Sequence, residues 1–366
     1  MTADAKLSPK AAASLLPTEG PLIPEELQLA TRNGGMPLEA LRYDITPVGL
    51  HYQLIHFDIP DVDPATWRLR VDGLVERPLD LSYDEIRALP AEKLTVTLEC
   101  AGNGRARLFP RPLSMPWLNE AIGTARWRGV PLHRVLDRAG VSRKAVDVVF
   151  TGADHGIEKG CEQDYARSVQ LDDALRPEVL LAFEMNDQPL LPQHGFPLRL
   201  LIPGWYGMMH VKWLTRIEVL AQPFDGYQQQ VAYRYKKDAN DRGEPVKRMR
   251  IRALMVPPGF PDYFTRHRYV EHGLVTLRGR AWAGKSSVAR VEVGIDGKWT
   301  DAVLHEATLG AFAWRSWSSE WNAGPGDHEL TCRATDADGD VQPTKQPWNF
   351  QGMGNNLVQQ ISVTVR

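Results

Sequence analysis

A chain of 366 residues, 43% hydrophobic and 24% charged, is long enough for two domains with real cores and has the balance of a soluble globular protein. Its formal net charge of −2 excludes a global field for nucleic acid or an anionic membrane, and no stretch is long and apolar enough to span a bilayer. Three widely spaced cysteines, with no CxxC and no CxxCH, exclude a disulfide framework, a zinc ribbon and covalent c-type haem.

Residues 1–40 carry Pro17, Pro21, Pro24 and Asn33-Gly34-Gly35 with little periodicity, and read as an extended arm. Residues 66–74 alternate Trp67, Leu69 and Val71 against Arg68, Arg70 and Asp72, the pattern of a half-buried strand. Ser82 caps a short helix over 83–89, with Asp84 and Glu85 in its first turn and Pro90 after its end. Residues 93–100 alternate again, so Leu94, Val96, Leu98 and Cys100 share one face of a strand while Lys93, Thr95, Thr97 and Glu99 share the other. The strand runs into Ala101, Gly102, Asn103 and Gly104, small residues that let the backbone approach something bound. Cys100 is either a small buried hydrophobe or a thiol presented at the mouth of a sheet.

Leu132, Val135, Leu136 and Ala139 mark a helix within 130–139 that Gly140 stops, and strands are expected at 146–151, 179–185, 197–203 and 211–220. The order lacks the βαβ rhythm of a doubly wound fold, and Gly102 with Gly104 makes no GxGxxG fingerprint for a nicotinamide cofactor. Residues 222–258 are polar, tyrosine-rich and basic, and read as a connection between domains. Beyond Gly273 the pattern is all strand, at 274–282, 288–295, 311–321, 329–334 and 359–365, with Asp296-Gly297 as a hairpin turn. Short strands at this spacing point to an immunoglobulin-like sandwich. Asp336, Asp338, Gly339 and Asp340 lack the full calcium-loop pattern and read as a turn.

The segment LECAGNGR, residues 98–105, resembles the metal-ligand loop of the sulfite oxidase family, in which a strand ends in CAGN and the cysteine binds molybdenum. The resemblance runs from about Tyr52 to the C-terminus in order and spacing, through HFDIP, TGADHG, FEMNDQPLLPQHGFPLR and HVKWL. It implies an α+β protein: an arm over 1–40, a mixed α/β molybdopterin-binding domain over 41–245, and an all-β immunoglobulin-like dimerisation domain over 246–366. It implies that Cys100 is the metal ligand, that Arg105, Trp117 and Tyr235 line the reacting side, and that His56, Asp154, Tyr165, Ser168, His194, Arg199 and Lys212 hold the pterin. Tyr233 lies two residues from Tyr235 and competes for its role. Such a constellation suits a pyranopterin dithiolene, a polar anionic ligand that needs hydrogen-bonding side chains and fixed cations.

Two departures stand out. The family's RNH arginine is replaced by Leu54, and the arginine of its WNLRG sequence by Gln351 in WNFQG. Each lost charge-assisted hydrogen bond to a small dianion costs about 1.5–3 kcal/mol. Arg107, Arg111, His51 or His210 supply the charge instead, or sulfite binds poorly, or the pocket takes a more neutral S-oxide against Trp205 and Tyr206. The expected activity is molybdenum-dependent oxidation of sulfite to sulfate by a homodimer. The alternatives are a same-fold reductase of S- or N-oxides and a cofactor-free binding protein. No haem segment is visible, so a separate acceptor, a cytochrome, is expected to take the electrons. No signal peptide is visible, so a cytoplasmic location is expected, or a periplasmic one if a signal has been removed.

Overall fold

A computed structural model describes residues 22–345 and 347–366. The first twenty-one residues of the expected arm lie outside the described residues. The rest of that stretch is not simply extended, because Pro24–Arg32 forms a helix with Pro at its start and Glu25 and Glu26 in its first turn. Both features favour helix where periodicity alone showed nothing.

Ten strands build the first part of the chain: β1 (Arg68–Gly73), β2 (Leu79–Ser82), β3 (Glu92–Glu99), β4 (Ile122–Pro131), β5 (Asp147–Glu158), β6 (Cys161–Gln170), β7 (Leu180–Met185), β8 (Gln188–Pro189), β9 (Arg199–Leu201) and β10 (Leu214–Leu220). One sheet runs β2-β1-β10-β5-β6, with β1 and β10 parallel and the other pairs antiparallel. A second runs β3-β4-β7-β8, with β9 also paired to β7. Helix Tyr83–Ala88 begins with the expected cap, in which Ser82 Oγ accepts from Glu85 N–H and Glu85 reaches back to Ser82 N–H. Helix Leu132–Ala139 buries Leu132, Val135, Leu136 and Ala139, and Gly140 ends it at φ 71°.

The last part of the chain is two sheets. Arg252–Met255, Gly273–Trp282, Arg315–Ala323 and Val303–Leu304 form one. The other contains Phe260–Pro261, Arg268–Val270, Gln359–Val365, Gly326–Asp336, Val288–Ile295 and Lys298–Asp301. Ala253, Leu277, Trp317, Val293, Cys332 and Val363 pack together as the core between them, the arrangement of an immunoglobulin-like sandwich. Asp296 and Gly297 both take positive φ, as a tight hairpin turn requires. No helix among the described residues is long and apolar enough to cross a membrane.

Strand β3 departs from its alternation at the functionally important end. Its last four residues are all buried, so the polar face is covered as well as the apolar one. Glu99 accepts hydrogen bonds from Arg252 at 2.8 Å, the Trp282 indole at 2.8 Å and Asn103 at 3.0 Å, and Thr97 Oγ1 accepts from Trp314 N–H at 2.8 Å. Alternation shows that two faces differ but not what covers them. Here the sandwich covers the second, and a buried ion pair anchors the cysteine strand to it.

Candidate molybdenum cofactor site

The two sheets meet around a cavity whose lining includes His51, Tyr52, Leu54, His56, Cys100, Asp154, Tyr165, His194, Arg199, Lys212 and Tyr233. Cys100, 8% exposed, stands immediately after β3 on the cavity wall. The backbone turns sharply beyond it, with Gly102 N–H 3.4 Å from the sulfur and Gly104 at φ 88°. A Cβ on Gly102 would come within 2.5 Å of the Arg105 guanidinium, so a side chain there would displace that group from beside the thiol. Burial pushes the thiol's pKa up, while Arg105, the Gly102 N–H and the neighbouring Trp117 indole pull it down.

Two cations line the same cavity, Arg199 buried and Lys212 half-buried. Arg199, on β9, donates to the carbonyls of His194 at 2.9 Å and His210 at 3.3 Å, with its guanidinium 4.9 Å from the Trp127 ring centroid. Lys212 donates to the carbonyls of Leu54 at 2.9 Å and Gln193 at 3.1 Å. Burial lowers the Lys212 pKa to about 7, with Arg199 adding to the effect, and raises that of Asp154 to about 7 against the pull of Lys212. Arg199 Nε, Asp154 Oδ1 and His51 Nε2 are buried without partners. Groups desolvated at such cost and left unpaired fit a polar, anionic ligand that hydrogen bonds them. Cys100 offers a soft sulfur donor on the wall of the same cavity, the kind of ligand that would suit molybdenum.

The histidines are neutral. Burial drives His56 and His194 down to about 3 and His51 to about 4. His210 is held at about 3, its Nδ1 accepting from Ile202 N–H and its Nε2 donating to the Trp205 carbonyl. His51 and His210 therefore do not replace the missing arginine charges. Neither do Arg107, which donates to Gln360, or Arg111, which pairs with the buried Glu26 at 2.7 Å; neither lines the cavity. Trp205 and Tyr206 are core residues, and the Tyr206 hydroxyl accepts from Arg250 N–H. Leu54 lines the cavity directly. Gln351 instead bonds the Arg234 N–H and the Val231 carbonyl.

Of the residues assigned from sequence, the structure brings Cys100, His56, Asp154, Tyr165, His194, Arg199 and Lys212 to one cavity. The other four fall outside the lining, Trp117 among them although it neighbours the thiol. Tyr235 does not line the cavity; its ring lies under Arg250, 4.6 Å from the guanidinium, and its hydroxyl is against Gly354. Tyr233 takes the place, sharing a 2.6 Å hydrogen bond with His56 Nε2. The preceding turn, Gln228–Ala232, is a π-helix, so spacing along the sequence does not translate into position as it would in regular backbone. Ser168 hydrogen bonds Asp147 at 2.9 Å, outside the cavity lining, because on β6 its side chain faces away from that of Tyr165. Arg105 lies near the thiol but spends its guanidinium on the Gln351 carbonyl, the Met115 carbonyl and Met353 Sδ, and so ties the last loop to the cysteine loop.

Sequence reasoning missed Tyr52, which stacks on His51, and Arg167, which packs behind Tyr233. The strand period carried a signal for Arg167, two residues from Tyr165 on the same face.

Residues 56–228 match the family model of the oxidoreductase molybdopterin binding domain, and residues 246–366 that of the Mo-co oxidoreductase dimerisation domain. The chain is 35% identical over 347 residues to mitochondrial sulfite oxidase of Homo sapiens, a match covering 88% of this chain and 62% of that protein. It is 32% identical over 370 residues to the NADH nitrate reductase of Solanum lycopersicum, covering 91% of this chain and 40% of that one. The chain thus spans about six tenths of the length of the sulfite oxidase. Among solved structures, it resembles the sulfane dehydrogenase SoxCD from Paracoccus pantotrophus, with TM-score 0.78, 26% identity, and coverage of 91% of this chain and 86% of that one. The likeness runs through both the cavity-bearing sheets and the C-terminal sandwich, and the chain belongs to the sulfite oxidase family of molybdopterin oxidoreductases.

Proposed function

We propose that this chain binds molybdopterin through Cys100 and oxidises sulfite to sulfate. The balanced reaction takes one oxygen from water, SO₃²⁻ + H₂O → SO₄²⁻ + 2H⁺ + 2e⁻, and the electrons pass singly to a separate acceptor, a cytochrome. Bound molybdopterin would supply oxygen-atom transfer and two-electron storage. The protein's own groups do the rest. Arg199 and Lys212 neutralise the cofactor's anionic end, Asp154 and His194 hydrogen bond its polar edge, and Cys100 gives the metal a thiolate. His56, kept neutral by burial, orients the Tyr233 hydroxyl through their 2.6 Å hydrogen bond. That hydroxyl is then available to a small oxyanion beside Cys100. The observation that carries the reading is the Cys100 thiol lining one cavity together with buried Arg199 and half-buried Lys212. Homodimerisation through residues 246–366 belongs to the same proposal.

Leu54 and the side-chain bonds of Gln351 favour a second reading, reduction of a less charged S-oxide. One experiment separates the two: steady-state reduction of ferricyanide and cytochrome c by the molybdenum-loaded protein with sulfite, beside Cys100→Ser. Turnover that vanishes in the variant supports the oxidase. Protein inert to sulfite that instead lets sulfoxides reoxidise a reduced dye supports the reductase. Protein that carries no molybdenum or pterin overturns both in favour of a binding protein.

A further inference from the structure

The chain lacks arginine at two positions where its family places positive charge around the substrate, and the histidines and outer arginines expected to compensate do not. A different cation stands behind the reacting side. Arg167 is 1% exposed, on the face of β6 that carries Tyr165. Its guanidinium carbon sits 5.4 Å from the centroid of the Tyr233 ring. Nη1 donates to the Gln228 carbonyl in the π-helical turn that delivers Tyr233, and Nε donates to Met209 Sδ in the turn beside the cavity residue Met208.

No carboxylate pairs with Arg167 among the described residues, in contrast to Arg252, the other arginine this deeply buried, which is paired with Glu99. An unpaired buried guanidinium costs several kcal/mol of desolvation, and its field is weakly screened in the interior. Its contacts are a carbonyl, a thioether and an aromatic face, so the positive charge stays uncompensated and close to Tyr233. Arg167 also counts among the charges that keep His56 neutral and oppose the rise of the Tyr233 phenol's pKa.

We infer that Arg167 is a positioning residue for a small sulfur oxyanion: it holds the Tyr233 hydroxyl toward the cavity and supplies, through the phenol, the positive field that Leu54 and Gln351 no longer provide. This rests on the oxyanion reading of the site and adds to it the residue that sets affinity. Arg167 does not itself line the cavity, so it acts on the anion through Tyr233.

The test uses full-length, cofactor-loaded protein as wild type, Arg167→Met, Arg167→Lys, Tyr233→Phe and the Arg167→Met/Tyr233→Phe double variant. Two readouts are needed: KM and kcat for sulfite with ferricyanide, and the dissociation constant of sulfate by calorimetry. Arg167→Met is expected to raise both KM and the sulfate constant at least tenfold with molybdenum content unchanged. Arg167→Lys should recover to within about threefold of wild type. In the Tyr233→Phe background the Arg167→Met effect should shrink by more than half, since the path through the phenol is gone. Unchanged KM and sulfate constant in Arg167→Met overturn the inference. So does failure of both single Arg167 variants to fold or retain molybdenum, which makes the residue a structural clamp only. An undiminished effect in the double variant overturns the route through Tyr233. If wild-type protein is inert to sulfite, the proposed activity fails by itself. The sulfate constants then decide Arg167 alone, and absence of sulfate binding overturns it.

Discussion

The two sides of the cavity are built in different ways. The cation wall comes from a short run of chain, with His194 in a turn, Arg199 on β9 and Lys212 in the loop before β10, together with Asp154 on β5, which pairs with β10. The reacting side is gathered from distant segments, with Leu54 and His56 from an early loop, Cys100 after β3, Tyr165 from β6 and Tyr233 from a π-helical turn. Every residue assigned to the first wall from motif order lines the cavity. On the second side Tyr233 lines the cavity where Tyr235 was expected, and Arg105 is turned to structural use. A wall encoded locally keeps its residues in register, whereas one assembled at long range can trade one contributor for another while its chemistry persists.

Removing Cys100, the proposed metal ligand, is the largest test of that contrast, because both sides serve the group it would hold. Cys100→Ser is expected to lower sulfite turnover by more than a thousandfold, checked by steady-state kinetics and by molybdenum content, since a hydroxyl is a poor match for a soft-ligand site. On the cation wall, Arg199→Ala removes a buried charge that the polar ligand needs. Charge-assisted hydrogen bonds are worth about 1.5–3 kcal/mol, so pterin retention through gel filtration should fall by about ten- to a hundredfold. Protein lacking Arg199 that keeps full pterin occupancy would remove the functional meaning of that wall.

The reacting side is sharpened by a pair of phenylalanine substitutions. Tyr233→Phe is expected to lower kcat at least tenfold, and Tyr235→Phe to stay within threefold of wild type, because only the first presents its hydroxyl to the cavity. The reverse result would restore the assignment made from spacing.

The smallest effect is on pH dependence in the cofactor-free protein. Asp154 is raised to about 7 in the folded state by burial, so the folded chain binds its proton more tightly than the unfolded chain. Its contribution to stability is fully present at low pH and is lost as pH rises from about 4 to about 7, with a slope of at most about 1.4 kcal/mol per pH unit. Lys212 has the opposite sense. Lowered to about 7, it favours the unfolded state more at lower pH, and stability recovers from about 7 to 10. Chemical denaturation of Asp154→Asn against pH should therefore show a flatter profile between 4 and 7 than wild type. An identical profile would mean that Asp154 is not held protonated by its burial.

Much of the architecture is legible in the order of residues. Periodicity locates β3, the capped helix after Ser82 and the Asp296-Gly297 hairpin, because these are decided by neighbours two to four residues apart. Motif order identifies Cys100 and the cation wall for the same reason. Local rules could not reveal that the polar face of β3 is covered by Arg252 and Trp282, that a helix at Pro24 stands where an arm was expected, or that a π-helical turn carries Tyr233 rather than Tyr235 to His56. Those outcomes depend on which surface meets which once the chain has closed on itself. The chain's order of residues determined the family and singled out Cys100, His194, Arg199 and Lys212, which meet in one cavity. Tertiary packing alone decided which phenol lines the cavity and which cation is buried behind it, because burial, partner choice and the direction of a side chain out of irregular backbone are properties of the assembled interior.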